Sequence, residues 1–201
     1  MQLSAIYHEL NFWKGFVKTD RFLKGWVGTG KTPELNQEVA DFILSVPHEN
    51  VLDVGSGVVS ILNGLIPVCA VDPLGELYQL IFDYNKHGLI YPLNLSAEEI
   101  HWDSVYDIVH ISNALDHTQN PRLAYEKLWQ AVKPGGYLII QGFENEATAE
   151  NWQGFHQWNI SVVANSLIIS GKEIENTFYN PFKVTKINFE NKTWFIWIVK
   201  K

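Results

Sequence analysis

Val51-Leu52-Asp53-Val54-Gly55-Ser56-Gly57 is an apolar, β-prone run that ends in an acid and a glycine turn. Such a turn lets backbone pass close to a ligand where a parallel strand hands over to its crossover. A second run, Val68-Cys69-Ala70-Val71-Asp72, ends in an acid as well. The pair reads as the opening of a nucleoside-binding α/β sheet, with Asp72 placed to take the two hydroxyls of a ribose.

Strands and helices alternate from residue 50 onward. The strand at 51–54 leads to a short helix at 60–65, and the strand at 68–72 to a helix at 75–87. The latter carries Leu77, Leu80, Ile81 and Tyr84 as its apolar stripe and stops at Gly88. A weak strand at 89–93 precedes Ser96-Ala97-Glu98-Glu99, which has the spacing of a capping box. A buried strand at 107–112, a helix at 121–132 and a Pro134-Gly135-Gly136 turn into a strand at 137–142 complete the pattern. This alternation predicts parallel strands joined by right-handed helical crossovers. Upstream, Thr32 and Pro33 read as the start of a helix bearing Leu35, Val39, Phe42 and Ile43. Residues 183–190 and 193–199 flank Asn191-Lys192 as two strands of a hairpin. A smaller hairpin is expected around Ser170-Gly171-Lys172.

The expected fold class is therefore α/β: a Rossmann-like, seven-stranded, mostly parallel sheet with an antiparallel C-terminal hairpin and helices on both faces. Residues 1–201 read as a single domain. Within it, 1–32 form an N-terminal cap or lid, 33–144 the cofactor-binding core, 145–182 an insert and 183–201 the closing hairpin.

A chain of 201 residues can bury a sizeable core. Its formal charge of −7 argues against a nucleic-acid partner, which calls for a basic face. Cys69, the single cysteine, lies in an apolar run and has no internal disulfide partner. No apolar run is long enough to span a bilayer and no signal-peptide plan is visible, so the expectation is a cytoplasmic protein without a membrane partner. The chain carries 8 Trp, 8 Tyr and 11 Phe, many of them near its two ends, as core and lid packing with a minority at a substrate pocket.

The order of these pieces resembles the class I S-adenosylmethionine-dependent methyltransferases. Four segments carry the resemblance: the glycine motif at 51–60, the acid of Ala70-Val71-Asp72-Pro73, the fourth strand and its loop at 106–117, and Leu128-Trp129-Gln130-Ala131-Val132-Lys133-Pro134-Gly135-Gly136-Tyr137-Leu138-Ile139-Ile140. The resemblance implies S-adenosylmethionine as cofactor. Gly55, Ser56 and Gly57 would admit its methionine part, Asp53 would support that loop, and Asp72 would take the ribose. Leu74 would pack on the adenine, with Ser96 and Ala97 at its edge. His110, Ile111, Ser112 and Asn113 would face the sulfonium end. The loop departs from the family pattern at Val59, where a third glycine is usual, and at Ser96, where an aspartate is frequent. Asn113-Ala114-Leu115-Asp116-His117 and Phe155-His156-Gln157-Trp158-Asn159 are similar to a bacterial small-molecule and sugar methyltransferase subgroup.

Methyl transfer to a hydroxyl profits from a base that takes the proton, and histidine titrates nearest neutral pH. His117, just past the fourth strand, and His156, in the aromatic insert, are the catalytic candidates, with Asp116 available to orient His117. The acceptor pocket is expected between residues 1–30, the loop at 113–118 and the insert at 145–165. The partner is then a small-molecule acceptor, and no metal ligand set stands out. Two other readings compete. Gly25-Trp26-Val27-Gly28-Thr29-Gly30-Lys31-Thr32 matches a phosphate-binding loop letter for letter, which would make the protein an ATP-using phosphotransferase. A methyltransferase-like domain that binds a partner without catalysis is the third.

Overall fold

The computed structural model describes residues 3–27, 37–171, 175–189 and 191–201. Its main sheet has seven strands in the order β3-β2-β1-β4-β5-β10-β9. β1 (Val51–Val54), β2 (Cys69–Asp72), β3 (Leu93–Asn94), β4 (Tyr106–Ser112) and β5 (Val132–Phe143) run parallel. β9 (Lys183–Phe189) and β10 (Lys192–Lys200) close the sheet antiparallel. The Rossmann-like fold is thus the one the alternation predicts. The chain winds outward from β1 to β3 and then returns to β4 on the other side of β1. That reversal opens a crevice at the carboxyl ends of β1 and β4, where ligands of such sheets bind.

Pleating explains the two cores. Ile108, Ile139, Ile196 and Ile198 point to one face and pack on α3 (Gln37–Ser45) through Val39, Ala40, Phe42 and Ile43. Their neighbours Val109, Leu138, Ile140 and Trp197 point to the other face, toward α6 (Pro121–Ala131) with its Ala124 and Leu128. The insert contributes a second antiparallel sheet, β6 (Asn159–Val163), β7 (Ser166–Ser170) and β8 (Glu175–Phe178), packed on this same side. β7 and β8 flank the hairpin expected near Gly171; Lys172 lies outside the described residues. The expected helix start at Thr32, Pro33 and Leu35 lies outside them as well.

α1 (Leu3–Phe16) and the one-turn α2 (Asp20–Phe22) form a cap whose rings pack together over the glycine turn. Trp13 meets Phe16, Phe22, Trp26 and Tyr78 edge-on.

Two helices differ from expectation. Residues 60–65 are a string of turns, because the short crossover from β1 to β2 is interrupted by Gly64 (φ +75°) and Pro67; Ile61 and Leu62 are buried nonetheless. The helix at 75–87 breaks into α4 (Gly75–Tyr78) and α5 (Tyr84–His87). Phe82 and Tyr84 both enter the cap core, their rings 4.9 Å apart, and two residues at i and i+2 do not share a helix face. Asp83 caps the second piece, accepting the Lys86 N–H at 3.1 Å, while Leu80, from the expected apolar stripe, is exposed. The strand expected at 89–93 shrinks to Leu93–Asn94.

Candidate active site

The glycine turn is built by close approaches on both sides. Gly55 and Gly57 both have φ near +65°, and the Gly55 and Ser56 amides donate to the Val71 carbonyl. A Cβ on Gly55 would fall 2.4 Å from the Ala114 Cβ in the loop after β4. A Cβ on Gly57 would fall 2.2 Å from the Trp13 indole. The second glycine is therefore required by the cap, since the space that a ligand was expected to use above it holds Trp13. The indole N–H is anchored on Glu9 at 2.7 Å.

The two acids that end β1 and β2 diverge in role. Asp72 stays at the crevice, 6% exposed, and its carboxylate accepts the Gly57 N–H at 3.0 Å and the Leu74 N–H at 2.9 Å. Burial pushes its pKa up to about 6, the two backbone donors pull the other way, the Glu9 charge adds to the rise and the Tyr78 hydroxyl opposes it. Asp53 instead faces into the sheet. Its Oδ1 lies 2.7 Å from His110 Nδ1 and its Oδ2 accepts the Ser60 hydroxyl at 2.6 Å. His110 Nε2 meets the Gln141 amide nitrogen at 2.9 Å, and Gln141 Oε1 accepts the Trp194 indole N–H at 3.3 Å. With a proton on Nδ1 the His110 ring donates to Asp53 and its Nε2 accepts from the Gln141 amide. Asp53 and His110 are thus a buried pair that ties β1 to β4 and β5, away from the crevice.

A cleft of about 930 Å³ opens at the carboxyl edge, at the upper end of the range of roughly 300–1,000 Å³ for small-molecule sites. Of the sequence-predicted residues, Gly55, Asp72, Leu74, Ser96, Ala97, Ile111 and His117 line it. Asp53, Ser56, Gly57, His110, Ser112, Asn113 and His156 do not. The Ser56 hydroxyl turns back to the Gly57 carbonyl, and Ser112 pairs with Gln141 in the sheet. Asn113 adopts φ +49° and accepts the Phe143 N–H. The Ser96 hydroxyl donates to Glu99 at 2.7 Å, within the expected capping box. Glu9 and Ala5 of α1, Tyr78 of α4, and Trp152, Phe155 and Gln157 of the insert complete the wall. Glu9 and Tyr78 carried no motif that could single them out.

Beside the cleft, the turn Leu115–His117 and the insert bring three polar side chains together. His156 Nδ1 lies 2.6 Å from Asp116 Oδ2 and 3.2 Å from His117 Nε2, and His117 Nε2 lies 3.6 Å from the same Asp116 oxygen. The Gln157 amide, donating to the Asp116 carbonyl, holds the two segments in register. Burial would lower the His156 pKa, but the hydrogen bond and charge of Asp116 outweigh it and the net shift is upward. The sequence pattern suggested Asp116 as a partner for His117; its shorter contact is to His156.

The phosphate-loop reading does not hold. Residues 3–27 are helical or turn, so among the described residues no β-strand precedes Gly28, and Gly28 to Thr32 lie outside them. Among the described residues no helix is long and apolar enough to cross a membrane.

A glycine turn and two strand-ending acids on a seven-stranded sheet with an antiparallel C-terminal hairpin define the class I methyltransferase architecture. A family model described as a methyltransferase domain matches residues 30–180, and the chain belongs to that family of S-adenosylmethionine-dependent enzymes. No curated sequence matches the chain. Among solved structures, the PH0226 protein from Pyrococcus horikoshii OT3 is similar over 100% of both chains, at 11% identity and a TM-score of 0.61. The 1,6-didemethyltoxoflavin-N1-methyltransferase of Burkholderia thailandensis, solved with bound 1,6-didemethyltoxoflavin and S-adenosylhomocysteine, covers 98% of this chain and 84% of its own, at 12% identity and a TM-score of 0.56. The N-methyltransferase NodS from Bradyrhizobium japonicum WM9 with S-adenosylhomocysteine covers 96% and 98%, at 11% identity and a TM-score of 0.56.

Proposed function

We propose that this protein methylates a small, hydroxyl-bearing acceptor that enters the cleft between α1, the loop after β4 and the insert. The observation that carries this reading is the Asp116–His117–His156 cluster at the cleft wall. The cofactor supplies an electrophilic methyl group on a positively charged sulfur. The residues present fit it: Asp72 offers a buried carboxylate to a vicinal diol, Leu74 and Ala97 an apolar wall to an adenine, and Gly55 a backbone without a side chain. The protein's part is then to position the acceptor, exclude water and receive one proton. The cap and the insert meet over the cleft, where a Cβ on Gly154 would stand 3.2 Å from the His8 ring, which supports water exclusion. The histidine–carboxylate cluster binds the acceptor hydroxyl and takes up its proton. The structural neighbours named as N-methyltransferases make an amine the principal competing acceptor.

His117→Ala should lower kcat/KM by about 100-fold, the scale of a lost proton acceptor, with S-adenosylhomocysteine affinity within twofold of wild type. A panel of sugars, phenols and amines assayed by methyl transfer checks this, and methylation of amines alone would overturn the hydroxyl assignment. Asp72→Ala should weaken S-adenosylhomocysteine at least tenfold, about the worth of one charge-assisted hydrogen bond. The pH dependence follows in sign. Asp72 is ionised above a pKa of about 6 and faces Glu9, Tyr78 and Tyr84. A protonated carboxyl accepts poorly from ribose hydroxyls, so affinity is full above pH 7 and lost as pH falls through 6. Calorimetric titrations from pH 5 to 8 should show this fall, and Asp72→Asn should flatten it.

A further inference from the structure

We propose that Asp116, His117 and His156 hold a divalent transition-metal ion of the Zn²⁺ type at the edge of the cleft, with the buried Glu146 carboxylate near them. The inference rests on the reading of this cluster as the acceptor's binding place and says what the cluster takes.

The first argument is geometric. Asp116 Oδ2, His156 Nδ1 and His117 Nε2 lie 2.6, 3.2 and 3.6 Å from one another. Among the described residues this is the one group of three such ligand atoms gathered this closely. Bonds of about 2.0–2.1 Å to a tetrahedral ion put neighbouring ligand atoms about 3.3–3.4 Å apart. Two of the three edges already match, and the third, between Asp116 and His156, must open by less than 1 Å.

The second argument counts protons. Each neutral imidazole has a single N–H. If His156 Nδ1 donates to Asp116, it has no lone pair for His117 at 3.2 Å. If His117 Nε2 donates to His156 instead, His156 loses its donor to Asp116 at 2.6 Å. Three electron-rich atoms converge on one point, and a proton satisfies two of them; a metal ion takes a lone pair from each.

The third argument is independent. Glu146, at the start of α7 (Glu146–Ala149), is 8% exposed, and its Oε2 has no hydrogen-bond partner. The Asn113 side chain bonds the same carboxyl group. The charge of Glu146 is close enough to those of Asp116 and His156 to interact with both. A buried, unpaired carboxylate oxygen near a two-histidine, one-carboxylate ligand set adds negative potential that favours a cation, and the fourth position of the ion stays open to water or the acceptor. Two imidazoles with one carboxylate favour Zn²⁺, Fe²⁺ or Co²⁺ over the oxygen-seeking Mg²⁺ and Ca²⁺. Because His117 borders the cleft, an ion here would lie within reach of the acceptor hydroxyl and lower its pKa, and the Asp116 oxygen that does not face the two imidazoles would receive the proton.

The test uses the untagged full chain, stripped with a chelator and titrated with Zn²⁺ by calorimetry and with Co²⁺ by visible absorption. One ion per chain is expected, with the intense Co²⁺ bands of a four-coordinate site. His156→Ala should weaken Zn²⁺ about 100-fold and Glu146→Gln about tenfold, while His101→Ala, an exposed histidine elsewhere, should change nothing. Circular dichroism checks the fold of each variant, and the wild-type Co²⁺ spectrum stands as evidence without any substitution. Less than one ion per chain, a spectrum like that of the aqueous ion, or equal Zn²⁺ affinity in folded His156→Ala would overturn the site. Titrating the stripped protein with S-adenosylhomocysteine separates the two readings: absence of that binding defeats the methyl-transfer reading while a Zn²⁺ isotherm persists, and the converse defeats the metal.

Discussion

Gly57→Val should lower the unfolding free energy by about 3–5 kcal/mol, the sum of a β-branched residue forced to positive φ and an overpacked core. The new side chain would begin 2.2 Å from the Trp13 ring, whose position is set by Glu9 and by four further aromatic rings. The cap has to lift off the turn, and with it goes the wall of the cleft formed by Ala5 and Glu9. Urea titration measures the loss. Trp13→Ala in the same chain should recover the overpacking part and leave the backbone strain, so the double variant should be more stable than the sum of the single changes. Strict additivity would mean that cap and turn do not touch.

His110→Ala should cost about 1–3 kcal/mol, the scale of a buried acceptor that loses its hydrogen-bond donor. Asp53 Oδ1 would face a cavity, with the Ser60 hydroxyl still bonded to Oδ2, and the Gln141 amide would lose its bond to the imidazole. Asp53→Ala/His110→Ala removes both ends of the pair. Its cost should fall below the sum of the two single changes by about 0.5–3 kcal/mol. S-adenosylhomocysteine affinity should change little in any variant that folds, since neither side chain lines the cleft. A selective loss of affinity would return Asp53 to the cofactor's side of the sheet.

The frame of the fold was legible because it is written in local chemistry. Apolar β-prone runs ending in Asp53 and Asp72, glycines where the backbone turns, and Asn191-Lys192 between two alternating stretches each depend on near neighbours. The helices at 60–65 and 75–87 misled for the opposite reason. Their helical periodicity is real, but a short crossover broken by Gly64 and Pro67 cannot complete a helix, and the cap draws in both Phe82 and Tyr84. The three-stranded sheet of the insert was half visible, as a hairpin near Gly171; the β6–β7 hairpin turns through Ala164-Asn165, both at positive φ, and carries no glycine to mark it.

The sequence by itself determined the winding of the sheet, the position of the crevice and the place of Asp72 at its edge. These follow from strand order and from acids at strand ends, which the chain carries consecutively. Only the tertiary structure decided that Trp13 covers Gly57, that Asp53 and His110 are a buried pair, and that His156 meets Asp116 and His117. Those contacts join residues some 30 to 60 positions apart. Local propensity carries no term for such a meeting; it is set by how the cap and the insert fold back over the sheet.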